Sequence, residues 1–236
     1  MPIVESVLHF FGFAVCHTLP ARTLTVGGHY LPVCARCTGI YLGIACSYVF
    51  LLARRGLRVN ALPPLPISFA FAALLLPMAV DGITSYAGLR GTTNELRFIT
   101  GLLAGSALPV FAFPLLAPEL VTRPADVPTV RPFGPWYDYL IWAALVAIGV
   151  PLGLAGWPPL YYPVAAISVL GLCGIFFNLA LVIWEMLLEK AGRWGRRPFT
   201  FAPAALTVAL VFTALNIFHR ITFAAILKAN GGKLPM

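Results

Sequence analysis

Apolar runs of about twenty residues recur along this chain, broken by short connectors rich in proline, glycine and arginine, and that rhythm limits the fold more than any other feature. The hydrocarbon core of a bilayer is about 30 Å thick and needs about 20 helical residues to cross it. Read against their flanks, the runs predict helices at Gly39 to Ala53, Ile67 to Tyr86, Asn94 to Leu116, Tyr139 to Ala155, Val164 to Leu188 and Pro203 to Leu227. The expected fold class is therefore all-α, a polytopic transmembrane helical bundle of about six spans. Only 10% of the 236 residues are charged and 60% are hydrophobic, against roughly 25% charged in a soluble domain. Six spans leave no room for a separate soluble domain, so residues 1–236 read as one integral membrane domain: a cysteine- and histidine-bearing segment over 1–38 and the bundle over 39–228.

The first residues hold a shorter apolar stretch, Ile3 to Val15, interrupted by Glu5 and His9. It reads as an interfacial helix or a tilted seventh span. Met1 to Leu19 has neither a basic start nor a small-residue cleavage site, so it is not expected to be a signal peptide. The connectors Leu62 to Pro66, Arg123 to Pro135 and Ala155 to Pro159 are loops by composition.

A net charge of +8 would suggest nucleic acid in a soluble chain, but here the basic residues sit between spans, where they set topology and meet anionic headgroups. No nucleic-acid partner is expected, and membrane lipids are. Arg54, Arg55 and Arg58 follow the first span, Arg123 and Arg131 the third, and Lys190, Arg193, Arg196 and Arg197 the fifth. These connectors belong on the cytoplasmic side, which leaves the residues with chemical potential on the extracytoplasmic face of a prokaryotic plasma membrane.

Cys16, His17, Cys34 and Cys37 precede the first span, and Cys34-Ala35-Arg36-Cys37 has the spacing that lets two sulfurs reach one ion. At a helix start the dipole favours thiolate, and zinc suits such ligands. The expected metal site is Cys16, His17, Cys34 and Cys37, with His29 as the competing imidazole. A disulfide or redox dithiol is the other reading. Cys46 and Cys173 lie inside apolar runs and read as small hydrophobes.

Asp81 falls inside the second span, where a carboxylate is costly and needs a partner; Arg97 or Arg220 is the expected one. Thr92 and Glu95 form a capping-box pattern. Asn94, Arg97 and Gly101 share one helical face, and Gly101 with Gly105 suits close packing. Asp81, Asn94 and Arg97 are the candidate catalytic residues. Arg90, Thr93 and Arg220 are the candidate substrate-binding residues, since forked donors at a helix start suit a phosphate. Asn216, His219 and Arg220 share a face of the last span, and Asn178 and Glu185 a face of the fifth.

The strings Cys16-His17, Pro32 to Tyr41 (PVCARCTGIY), Asp81-Gly82, and Thr93-Asn94-Glu95-Leu96-Arg97 with Thr100-Gly101 resemble a family of small prokaryotic multi-pass membrane proteins known as a domain of unknown function. The resemblance covers roughly the first half of the chain and brings no established reaction. It implies that the two clusters belong to one site and that Cys16-His17 is a fixed element, which favours His17 over His29.

Three functions follow. The first is a metal-containing membrane enzyme acting on a phosphorylated lipid or other anion. The second is a thiol and quinone oxidoreductase using Cys34 and Cys37, and the third is a transporter or flippase with a structural metal. No nucleotide loop, Ser-His-Asp order or HExxH pattern supports ATP use or a standard hydrolase mechanism.

Overall fold

The computed structural model describes residues 3–16, 19–120, 128–190 and 198–229. Its elements in chain order are α1 (Ile3–Val15), β1 (Thr25–Val26), β2 (His29–Tyr30), α2 (Ala35–Arg55), α3 (Leu65–Ala73), α4 (Leu76–Tyr86), α5 (Asn94–Leu120), α6 (Tyr137–Leu154), α7 (Tyr161–Lys190) and α8 (Pro198–Ala229). Among the described residues six stretches are long and apolar enough to cross a membrane, with α3 and α4 together making one of them. These are the six runs the sequence marks, extended at polar ends that hydropathy alone trims.

The second span is broken. Pro77 has no N–H to give the carbonyl four residues back and its ring crowds that carbonyl. The chain answers with tighter bonds at Leu74 and Leu75, whose N–H groups reach Phe71 O and Ala72 O at 3.1 Å. The span is thereby divided into α3 and α4.

The chain forms two compact units, residues 1–18 with 169–236, and residues 19–168. In the first, α1 packs on α8. Its 13 residues rise about 20 Å, less than the hydrocarbon thickness of about 30 Å. Asn216 Nδ2 donates to Phe10 O at 2.9 Å and to Phe212 O at 3.0 Å. His219 Nδ1 lies 2.9 Å from Phe13 O, and since a carbonyl only accepts, that nitrogen carries the proton. The polar face of α8 thus serves to hold α1.

The second unit is built on α2 and α5, which run parallel in backbone contact. A Cβ on Gly105 would stand 2.6 Å from Ile40 Cα, and one on Gly43 would stand 2.7 Å from Ser106 N. Gly39 and Gly101 meet Phe98 and Arg36 in the same reciprocal way. Small residues let the backbones touch where lipid offers no hydrophobic drive for association. A buried relay ties in α6: Trp142 Nε1 donates to Ser47 Oγ at 2.8 Å, and Ser47 Oγ to Ser106 O at 2.7 Å.

Each end of this unit is closed differently. At the end where α2 finishes, Asp138 is fully buried and accepts from Arg54 Nε at 3.0 Å, Arg54 Nη2 at 2.8 Å, Gly134 N at 3.0 Å, and Arg55. Phe133 beside it stacks on Tyr139, Phe50 and Phe71. Arg54 and Arg55, read from sequence as topology markers, are thus also paired. At the other end the β1–β2 hairpin, turned through Gly27 and Gly28 at positive φ, lies on the connector before α7, with Gly27 N donating to Gly156 O at 3.1 Å.

Candidate anion and thiol site

Asp81 sits five residues before the end of α4, and the chain that follows folds back over it. Gly88 takes a positive φ of 70°, the left-handed turn that ends a helix cheaply only at glycine. That reversal returns Arg90 and Thr92 to the carboxylate they left behind. Arg90 Nη2 donates to Asp81 Oδ1 at 2.9 Å and Thr92 Oγ1 to the same oxygen at 2.6 Å, while Arg90 Nε donates to Thr84 Oγ1 at 3.0 Å. The other oxygen, Oδ2, accepts from Arg36 Nη2. The Asp81 side chain is 1% exposed, and a carboxylate that deep is retained only when paired and hydrogen-bonded.

These partners correct the expected ones. Arg97 does not pair with Asp81, because both carboxylate oxygens are already taken by Arg36, Arg90 and Thr92. Its Nη1 donates instead to Asn94 Oδ1 at 3.2 Å, one turn back on α5, and Asn94 Nδ2 reaches Thr23 O at 3.4 Å. Arg220 is exposed on α8, in the other unit. The expected capping box of Thr92 and Glu95 also gives way to a simple cap. Thr93, not Thr92, caps α5, accepting from Leu96 N at 3.2 Å, which frees Thr92 for Asp81.

Arg36 is the residue the sequence reading passed over. It stands between Cys34, the N-cap of α2, and Cys37 in the first turn. Its guanidinium carbon lies 5.9 Å from the Tyr86 ring centroid, and that of Arg22 lies 5.4 Å from the same ring. Arg97 is within electrostatic reach of Arg22, Arg36, Asp81 and Cys34. Arg36 and Arg90 therefore pair with the buried carboxylate, while Arg22, against the same Tyr86 ring as Arg36, and Arg97, bonded to Asn94, bring two more guanidinium groups to this end of the unit. Neither Arg22 nor Arg97 has an acidic partner within salt-bridge distance among the described residues. Sequence offered one signal for Arg36: a charge at the very start of a span, where an arginine reaches inward to satisfy a buried acid.

The Cys34 and Cys37 sulfurs lie within 4.8 Å of each other, both half-buried, as residues three apart on a helical turn should. Tetrahedral zinc–sulfur bonds of about 2.3 Å place two thiolates somewhat under 4 Å apart, a spacing that two sulfurs this close would reach with a small rotamer adjustment. Cys16 is buried in the other unit, just past α1. His17 lies outside the described residues. His29, the competing imidazole, is on β2 with its ring 5.4 Å from that of Tyr161. Cys46 and Cys173 are half-buried within α2 and α7. The side chains of Asn178 and Glu185 lie outside the described set.

A multi-span bundle carrying a glycine-packed helix pair, a buried carboxylate held by arginines and a C-x-x-C at a span's outer turn is an integral membrane protein with a polar site at one end. Residues 16–111 match the family described as “Predicted membrane protein (DUF2085)”, and the chain belongs to that family. An uncharacterized protein of Methanocaldococcus jannaschii is 38% identical over 104 residues, 43% of this chain and 63% of that protein. An uncharacterized protein of Methanothermobacter thermautotrophicus is 39% identical over 102 residues, 41% of this chain and 82% of its own length. The chain thus spans less than two thirds of the first relative. No solved structure matches it. The matched stretch begins at Cys16 and encloses Cys34, Arg36, Cys37, Asp81, Arg90, Thr92, Asn94 and Arg97, whereas Arg220 falls outside it.

Proposed function

We propose that this protein is a zinc-bearing membrane protein that receives a phosphorylated lipid headgroup, or an anion of like chemistry, in the cluster formed by Arg22, Arg36, Arg90 and Arg97. The observation that carries the reading is the imbalance of charge: Arg36 and Arg90 both pair with one buried carboxylate, Asp81, and Arg22 and Arg97 stand at the same end without an acidic partner within salt-bridge distance among the described residues. A single arginine would neutralise that carboxylate. Forked guanidinium donors match the oxygens of a phosphate, and the first turn of α5 adds backbone donors and the positive end of a dipole. Asp81 is buried and already accepts from Arg36, Arg90 and Thr92, so its part is to hold Arg36 and Arg90 in place rather than to take a proton from a substrate.

Zinc completes the reading through Cys34 and Cys37, supported by the C-x-x-C geometry and the ligand chemistry, with Cys16 and His17 proposed from the sequence alone as the remaining ligands. Four protein ligands make a closed, structural site, so the metal organises the start of α2, and turnover of a headgroup would rest on the arginine cluster. Exposed Tyr30, Tyr86, Trp157 and Tyr162 lie at this end of the second unit, as aromatic residues do at headgroup level. The distribution of arginine among connectors supports placing this end on the extracytoplasmic side of the plasma membrane.

The test is binding and metal content on the same preparation. Purified protein in phosphatidylcholine nanodiscs should contain one zinc per chain and bind phosphatidic acid, with Arg97→Gln weakening the lipid at least tenfold without loss of zinc. Metal-free protein with a Cys34–Cys37 bond that cycles under a quinone would establish the oxidoreductase reading instead, which the nearness of the two sulfurs also favours.

A further inference from the structure

Arg36 has more donors than the protein uses. Its Nη2 is committed to Asp81, but its Nε is buried and has no hydrogen-bond partner among the described residues. Arg90, the other arginine on Asp81, contrasts with it, because its Nε is satisfied by Thr84 Oγ1. A buried donor left unmade costs about 1–3 kcal/mol, and folded proteins rarely tolerate one without a ligand or ordered water to fill it. The unfilled donor lies in the cluster that already holds more positive charge than Asp81 can balance. An acceptor bearing negative charge fits both facts.

Arg36 is also the residue through which the two halves of the site meet. Cys34 and Cys37 bracket it within one helical turn, and its carbonyl abuts Gly101 of α5. An ion bound by both sulfurs fixes the backbone of that turn, and with it the origin of the Arg36 side chain. We infer that Arg36 Nε–H is a direct contact for a phosphate oxygen, and that this makes metal binding at Cys34 and Cys37 and phosphate binding at the arginine cluster mutually reinforcing. The inference rests on the anion reading above and adds to it the contact atom and the control by metal.

Coupling between two sites is reciprocal, so it can be read from either side. Full-length protein in phosphatidylcholine nanodiscs, with and without phosphatidic acid, is titrated with zinc against a competing chelator. A parallel series replaces the lipid with inorganic phosphate in the buffer. Zinc affinity is expected to rise roughly tenfold with the phosphate ligand, and phosphatidic acid affinity to fall by the same factor when zinc is stripped, the size of one charge-assisted hydrogen bond. If phosphatidic acid acts and inorganic phosphate does not, the ligand is the lipid headgroup; if both act equally, it is phosphate as such, and the coupling stands in either case. Arg36→Lys keeps the charge for Asp81 but has no Nε–H. It should retain zinc, bind phosphate about tenfold more weakly and show no coupling.

Arg36→Lys binding phosphate as the wild type does would overturn the inference, as would zinc affinity indifferent to phosphate when both bind. Wild-type protein that binds neither form of phosphate removes the anion reading itself, a different failure. Should Arg36→Lys not fold, the wild-type zinc titrations alone decide the coupling.

Discussion

Replacing Gly105 with alanine tests the packing on which the site depends. The new Cβ would stand 2.6 Å from Ile40 Cα and 2.7 Å from its carbonyl carbon, about 1 Å inside the ~3.5–4.0 Å optimum for carbon pairs. The obstacle is main chain, so no rotamer change relieves it, and α2 and α5 must separate by most of that distance. A radial gap of 0.5–1 Å forfeits about a quarter to a half of each contact along the seam. The loss falls on the cluster of Ala35, Leu42, Phe98, Leu102 and Val146. Overpacking a well-filled interior costs about 1–3 kcal/mol, and a backbone obstacle places Gly105→Ala at about 3 kcal/mol.

Gly82 provides the matched control. It lies in α4 with nothing within 4 Å of an added Cβ, so Gly82→Ala should leave stability unchanged or raise it by up to about 1 kcal/mol through helix propensity. Reversible unfolding in mixed micelles, followed by circular dichroism, measures both. Equal stabilities for the two variants would refute the backbone-contact account of α2 and α5.

Asp81→Asn should destabilise by about 3 kcal/mol, the scale for leaving buried cations without their counter-charge, and should abolish phosphatidic acid binding by releasing Arg36 and Arg90; unfolding and lipid-binding curves check both. Asp138→Asn should cost a similar amount at the opposite end yet keep zinc and phosphate affinity, which separates a stability loss from a site loss. Thr92→Val removes the 2.6 Å bond to Asp81 and should lower stability by about 1–2 kcal/mol, while Thr93→Val should act only as a lost helix cap of about 1 kcal/mol. Cys34→Ser and Cys37→Ser should each lower the zinc content measured by elemental analysis, and loss of neither would sink the metal assignment.

Spans and the C-x-x-C were legible because each is a local property. Hydropathy over twenty residues finds a helix wherever its partners lie, and two cysteines three apart share a turn in any helix that contains them. The partner of Asp81 was not legible in that way. Sequence required a cation at similar depth, and Arg97 and Arg220 met the condition on paper. The choice of Arg36 and Arg90 depends on the reversal at Gly88 and on the contact of Gly101 with the turn at Arg36, which bring two particular arginines to one oxygen pair. Thr92 was misassigned for a related reason: either threonine satisfies a capping pattern, and only the path of the 87–93 turn decides which hydroxyl is free. Asp138 was passed over because a charge at the start of a span looks like an ordinary boundary residue until its burial is seen.

Within the second unit, the buried carboxylates Asp81 and Asp138 bear on why a ligand is proposed for the arginines of one end and not of the other. Arg36 and Arg54 lie eighteen residues apart on α2, a rise of about 27 Å, close to the thickness of the hydrocarbon core. One ion cluster therefore marks each boundary, where arginines can pair inward and still touch the headgroups. On the proposed orientation, the basic residues at the Asp138 end serve topology, because positive charge is retained on the cytoplasmic side. At the Asp81 end the same rule would argue against arginine, yet Arg22, Arg36, Arg90 and Arg97 are there. Topology does not account for them, and pairing with one carboxylate accounts for two. The proposed anion would give the other two a role, and it would supply the acceptor that Arg36 Nε lacks among the described residues.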